Sequence, residues 1–173
     1  MDPVEINAGA YYLRGLRHDD RIDDRPVILT ALTDQATVRW LAHLEVLTLD
    51  DATTYVTRRA AEWEAGTRCS WAVAEPSTGD MLGEVGLKEL DLAAGTAEVG
   101  CWTHPAHRGR GVALHGVRAA LRFAFAGLGL RSVDYRHEPA NTASARLAAR
   151  LGFPATPVDT EGGLIRLRTT TPP

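Results

Sequence analysis

The chain has 173 residues, 45% hydrophobic and 24% charged, with a formal net charge of −3 and a pI near 6.1. That length and composition suit one domain, residues 1–173, long enough to bury most of its apolar surface on folding. The mildly acidic balance argues against nucleic acid or an anionic membrane as main partner. No apolar run approaches the roughly 20 residues of a membrane span, and Met1 to Gly9 lacks an export signal's apolar stretch, so a cytoplasmic protein is expected.

Residues 11–17 alternate enough to form a first strand, and His18-Asp19-Asp20 offers capping side chains for a helical segment that Pro26 interrupts or restarts. Asp34 is expected to cap a short helix that packs Val38, Leu41 and the stem of Trp40 inward. Asp50 or Asp51 then starts a longer helix through Ala52, Val56, Ala60 and Trp63, which Gly66 ends. From Arg68 the pattern changes to short strands at 69–75, 81–90 and 96–103, separated by turn-forming stretches near Pro76 to Asp80 and Ala93 to Gly95. This predicts an antiparallel meander. A helix over 112–127, a strand over 132–137, a helix over 141–151 and a last strand near 164–168 follow, with a frayed tail from Thr169. Cys69 and Cys101 fall inside expected strands, fit neither a disulfide framework nor a zinc site, and are read as buried thiols. The single lysine, Lys88, among many arginines and alanines suggests a G+C-rich bacterial genome.

The chemistry concentrates where the third meander strand gives way to a helix. Pro105 stops the strand, and Arg108-Gly109-Arg110-Gly111-Val112-Ala113 opens the helix that Val117, Leu121, Ala124, Phe125 and Leu128 mark by their spacing. First-turn N–H groups lack intrahelical partners, the helix dipole adds positive charge, and glycine lets an anion approach the backbone. A pyrophosphate suits such a site. The loop fits neither the P-loop nor the dinucleotide fingerprint, because residue 114 is Leu where the latter needs glycine. Arg108 and Arg110 flank it as phosphate partners. The pair His104 and His107 gives no metal expectation, since Pro105 breaks helical spacing and the sequence offers no third ligand.

Arg108-Gly109-Arg110-Gly111-Val112-Ala113 resembles the R-G-x-G-x-A core of the GNAT superfamily of N-acetyltransferases. The run from Asn141 through Ser144, Arg146 and Arg150 to Leu151-Gly152-Phe153 resembles its second motif, N-x-x-S-x-R-x-x-x-[KR]-L-G-F. Further stretches at Tyr12 to Arg17, Trp71 to Val73, Gly83 to Leu87 and Glu98 to Trp102 are similar to the branch that acetylates ribosomal-protein N-termini. The resemblance runs to about Phe153. It implies an α+β fold whose mixed, mostly antiparallel central sheet is splayed at the acetyl-CoA site and flanked by helices.

The activity implied is transfer of an acetyl group from acetyl-CoA directly to a primary amine, on a protein N-terminus or a small molecule, without a metal. The alternative is a CoA-binding regulatory or interaction module without turnover. A homodimer remains open. By resemblance, the backbone of Trp102, Thr103 and His104 holds the pantetheine arm, Gly109, Gly111, Val112 and Ala113 cradle the pyrophosphate, and Asn141 holds the cofactor amide. The tyrosine that many members use to protonate the leaving thiolate corresponds to Ala148. Ser144, one turn after Asn141 on the same helix face, takes that role or only hydrogen-bonds the pantetheine or its own helix. For the base, Glu98, Asp91 and a water-only route stay open. Glu84 and Glu89 are expected on opposite faces of one strand. Trp40 and Trp63 either line the acceptor pocket or anchor helices. Ala106 and Leu114-His115-Gly116 depart from the family pattern.

Overall fold

The computed structural model describes the whole chain apart from the Glu161 side chain. Its first elements are two short strands, β1 (Ile6–Asn7) and β2 (Tyr12–Arg14). The strand expected over 11–17 is thus shortened. Past Gly15 the chain turns, because the Arg17 N–H donates to the Asp24 carboxylate rather than to a neighbouring strand. Helices α1 (Arg25–Thr33), α2 (Gln35–Leu41) and α3 (Leu49–Ala65) follow. Pro26 sits in the first turn of α1, where its missing N–H costs nothing. Asp34 caps α2 by accepting the Thr37 N–H. In α2 the buried residue is Thr37, while Val38 is 39% exposed and Trp40 lies under the Arg39 guanidinium, so Val38 does not pack inward as expected.

Among the described residues the remaining strands are β3 (Cys69–Ala74), β4 (Met81–Asp91), β5 (Thr96–Thr103), β6 (Ser132–His137) and β7 (Ile165–Thr169). With β1 and β2 they form one mixed sheet in chain order, antiparallel throughout except for β5 and β6. A parallel pair requires a crossover, and α4 (Val112–Arg122), extended by a π-helical turn at Phe123–Gly127, provides it. Helix α5 (Thr142–Arg150) joins β6 to the stretch before β7.

Alternation along the strands divides the core in two. On one face Val73, Val85, Val99 and Val133 meet Val117 and Leu121 of α4, Ala148 of α5 and Leu151 just past it. On the other, Ala72, Met81 and Trp102 meet Ile28, Tyr55 and Val56 of α1 and α3. Gly116 explains its own presence within α4. A Cβ there would stand 2.7 Å from Val73 Cγ2, so glycine lets the helix seat closely on β3. Trp63 is 1% exposed and meets Trp71 edge-on at 4.9 Å between centroids, which makes it a helix anchor rather than a pocket wall.

Candidate active site

At the end of β5, a single 3-10 turn at Pro105–His107 leads into the glycine loop. Gly109 and Gly111 have φ of +76° and +82°, values that an L side chain rarely adopts. The first bond of α4 is His115 N–H to Gly111 O at 3.0 Å, which leaves the N–H groups of Val112, Ala113 and Leu114 heading the helix without intrahelical partners. A Cβ placed on Gly109 would meet nothing within 4 Å, so the loop opens onto free space. The two arginines differ. Arg110 is exposed, with Nη1 3.2 Å from His107 Nδ1. Arg108 turns back to α2, 2.5 Å from Asp34 Oδ2 and donating to Thr37 Oγ1 at 2.8 Å. That bond holds the Asp34 carboxyl below the usual carboxylate range. Burial lowers the His104 pKa, so its imidazole is neutral near pH 7 and its Nδ1 accepts the Ala106 N–H. A cleft of about 440 Å³ adjoins the loop at His107 and Arg110 and reaches Asp23, Glu75 and Asp80.

Immediately before the loop the sheet opens. Parallel pairing of β5 with β6 ends at Val99↔Tyr135, although β5 continues to Thr103 and β6 to His137. The His104 N–H donates to Leu82 O on the β4 side. Backbone groups alternate between the two edges of a strand, so Trp102 also bonds towards β4, and the groups facing the opening belong to Cys101 and Thr103. Of the expected trio Trp102, Thr103 and His104, therefore, only Thr103 presents its backbone there.

On the α5 side of the opening, Asn141 caps the helix by accepting the Ser144 N–H at 3.0 Å. Ser144 Oγ lies 2.8 Å from Tyr135 Oη. Tyr135 also interacts with the Cys101 thiol, and burial raises the tyrosine above the ordinary phenol range. Burial pushes Cys101 up to about 12, which leaves it an unreactive thiol at neutral pH. Ala148 is fully buried in the same helix. Sequence reasoning missed Tyr135. Its one available signal was that Val133 and Tyr135 share a strand face, which does not reveal a partner on another element.

The carboxylates occupy distinct settings. Glu98 is buried between Lys88 Nζ at 2.7 Å and Arg136 Nη1 at 3.1 Å. Asp91 is exposed, level with Thr96, and accepts the Ala94 N–H within its turn. Counting strand residues from Thr96 to Gly100 puts it roughly 13 Å from the start of the opening. Glu84 is 2% exposed. It accepts from Tyr55 Oη at 2.7 Å and Trp102 Nε1 at 3.2 Å, and has Arg59 Nε and Arg68 Nη2 at 3.4 and 3.5 Å. Tyr55 and Arg59 are further residues that sequence reasoning did not single out. Strict alternation placed Glu84 and Glu89 on opposite faces, but the register shifts between Lys88 and Asp91, and Glu89 has φ +51°. Its carboxylate reaches within 3.9 Å of Arg136, on the side that Glu84, Lys88 and Glu98 share.

A family model described as an acetyltransferase (GNAT) domain matches residues 12–154. An uncharacterized N-acetyltransferase p20 from Bacillus licheniformis is 29% identical over 83 residues, so the match spans 48% of this chain and 47% of that relative, about half of each. The ribosomal-protein-S5-alanine acetyltransferase from Vibrio fischeri superposes with a TM-score of 0.76 at 15% identity, covering 96% of both chains. The microcin C7 self immunity acetyltransferase MccE, in complex with acetyl-CoA and AMP, has a TM-score of 0.76 at 12% identity over 94% of this chain and 93% of that one. At these identities the structural likeness concerns the fold.

Proposed function

The chain belongs to the GNAT acetyltransferase domain family, and from that premise we propose that it is an acetyl-CoA-dependent N-acetyltransferase acting on a primary amine. The observation that carries the reading is the juxtaposition of two openings. The β5–β6 ladder stops at Val99↔Tyr135, and ten residues later the loop that begins at Gly109 presents the free N-terminus of α4. Gly109, Gly111, Val112 and Ala113 would hold the pyrophosphate with their N–H groups, aided by Arg110. Cys101 and Thr103 would bond the pantetheine arm as an added strand does. Acetyl-CoA supplies an acyl carbon activated as a thioester.

The chain's own contribution is to orient, to stabilise charge and to exclude water. Ser144 serves the leaving sulfur as hydrogen-bond donor. The acceptor's proton passes to water. A proton arriving at Glu98 would disrupt its pairs with Lys88 and Arg136, and Asp91 stands at the distal turn. The acceptor classes are a protein N-terminus, suggested by the ribosomal-protein-S5-alanine acetyltransferase neighbour, and a small-molecule amine, which the p20 likeness leaves equally available.

The test incubates the protein with acetyl-CoA and a panel of amines: peptides with free N-termini, polyamines and aminoglycosides. Thiol release is followed in parallel with the mass of each amine. The expected result is amine-dependent thiol release with one acetyl added. No binding of acetyl-CoA by calorimetry at millimolar ligand would reject the proposal. Binding without release for any amine would favour the turnover-free CoA module.

A further inference from the structure

Two hydroxyls from separate elements meet beside the opening, with Tyr135 Oη 2.8 Å from Ser144 Oγ. Tyr135 closes the β5–β6 ladder opposite Val99, and its ring packs on Phe153 at 5.4 Å between centroids. Ser144 is fixed in the first turn of α5 by the Asn141 cap. Their exposures order the pair: Tyr135 is 4% exposed, whereas Ser144 is only half-buried, so the serine is in front and the phenol behind. The phenol is the stronger acid of the two hydroxyls and hence the stronger donor. Burial and the neighbouring Cys101 thiol keep it protonated well past neutrality.

We propose that Tyr135 is a positioning residue that donates to Ser144 Oγ and thereby leaves the Ser144 hydrogen free for the sulfur that departs in acetyl transfer. The inference rests on the acetyl-CoA reading above. It adds a β6 residue to the thiolate side of the site, where α5 itself carries only Ala148 at the position expected for a tyrosine. When the carbon–sulfur bond breaks, its electron pair stays on sulfur. The acceptor nitrogen, having formed the carbon–nitrogen bond, loses one proton, and the thiol product gains one. The hydroxyl pair supplies two hydrogen bonds in series and no net proton. Such bonds polarise one another and are strongest to a charged acceptor, so their effect is greatest as sulfur becomes anionic. They therefore act on kcat more than on binding of acetyl-CoA.

The test uses CoA itself as the probe, titrated while bound to the 173-residue chain and followed by the ultraviolet absorbance of its thiolate. The chain's own thiols, which burial pushes up to about 12, and its phenols are subtracted by titrating the CoA-free protein in parallel. The titratable groups packed at Tyr135 are Cys101 and His137, the latter 6.3 Å away between ring centroids, and His137→Gln serves as a control variant. Bound CoA is expected to ionise about one pH unit below free CoA, and Tyr135→Phe and Ser144→Ala should each remove most of that difference. In turnover, Tyr135→Phe should lower kcat on the order of 10-fold, and Ser144→Ala on the order of 10²-fold, with KM for acetyl-CoA within about twofold. The double variant should be no slower than Ser144→Ala, because both act through one hydrogen bond to sulfur. A Tyr135→Phe protein whose bound CoA titrates like the wild type, or losses that multiply in the double variant, would overturn the role of Tyr135 alone. Failure of the wild type to bind CoA would overturn the acetyl-CoA reading, and this one with it.

Discussion

Gly109 carries two constraints at once: φ of +76° and free space where a side chain would begin. Alanine there meets no atom but pays a left-handed backbone cost of about 1–2 kcal/mol, and valine adds branching in the space a phosphate would take. Gly109→Val should therefore retain a cooperative unfolding transition while losing CoA binding by calorimetry. Unchanged affinity in the folded variant would place the phosphate elsewhere. Both loop glycines were legible in the sequence, because a turn at a helix start is a local signal. Contacts that depend on register were not. Nothing in the sequence ties Arg108 to Asp34 across 74 positions, or brings Lys88 and Arg136 to opposite oxygens of Glu98. The same holds for Tyr135, which touches Ser144 only because β6 and α5 pack at the end of a ladder.

At the scale of the element, α3 shows how a helix start is read from the wrong half of a correct motif. The sequence points to Asp50 or Asp51 as its start, yet Thr48 is the N-cap and Asp51 its third-position partner: the Asp51 N–H donates to Thr48 Oγ1 at 3.1 Å and the Thr48 N–H to Asp51 Oδ2 at 2.9 Å. Each satisfies a donor that the first turn leaves free. Thr48→Ala should cost about 1 kcal/mol, lowering the transition temperature by roughly 2–4 °C, with Thr48→Ser nearly neutral. Equal losses in the two variants would show that packing of the threonine methyl matters more than the cap. Strands β5 and β6 match their expected bounds, β5 because Gly95 and Pro105 flank it. Strand β4 was harder. Its seven consecutive buried residues hide the period of two, and the shift after Lys88 reverses the face on which Glu89 emerges.

For the whole molecule, the ionisable groups set a stability window. The Arg17 hydrogen bond lowers Asp19 to about 2, and Asp23, Asp34 and Asp51 are lowered in turn by bonds from Arg25, Arg108 and Thr48. Each releases its proton more readily when folded, so its contribution is present above the ordinary value of 3.8 and is lost as pH falls through the folded pKa. His43 and His104, lowered from 6.5 chiefly by burial, act in the same direction and begin to withdraw support as pH drops below 6.5. The alkaline side reverses the sign. Burial raises Cys69 and Cys101 from 9.0 to about 12 and raises Tyr55 and Tyr135 from 10.0. Their neutral forms are favoured in the fold, so their support is complete below the unfolded values and is lost as pH rises towards the folded ones. The transition temperature should therefore be highest between about pH 6.5 and 9, fall gently to pH 5, fall steeply below pH 4, and fall again above pH 9. Calorimetric scans from pH 3 to 11 measure this profile. Tyr55 and Tyr135 lie on opposite faces of the sheet, in different core clusters. Tyr135→Phe should flatten the alkaline limb without moving the acid one, because it removes one raised group and none of the lowered ones. An alkaline limb identical to that of the wild type would mean that the Tyr135 phenol ionises no differently in the folded and unfolded chains.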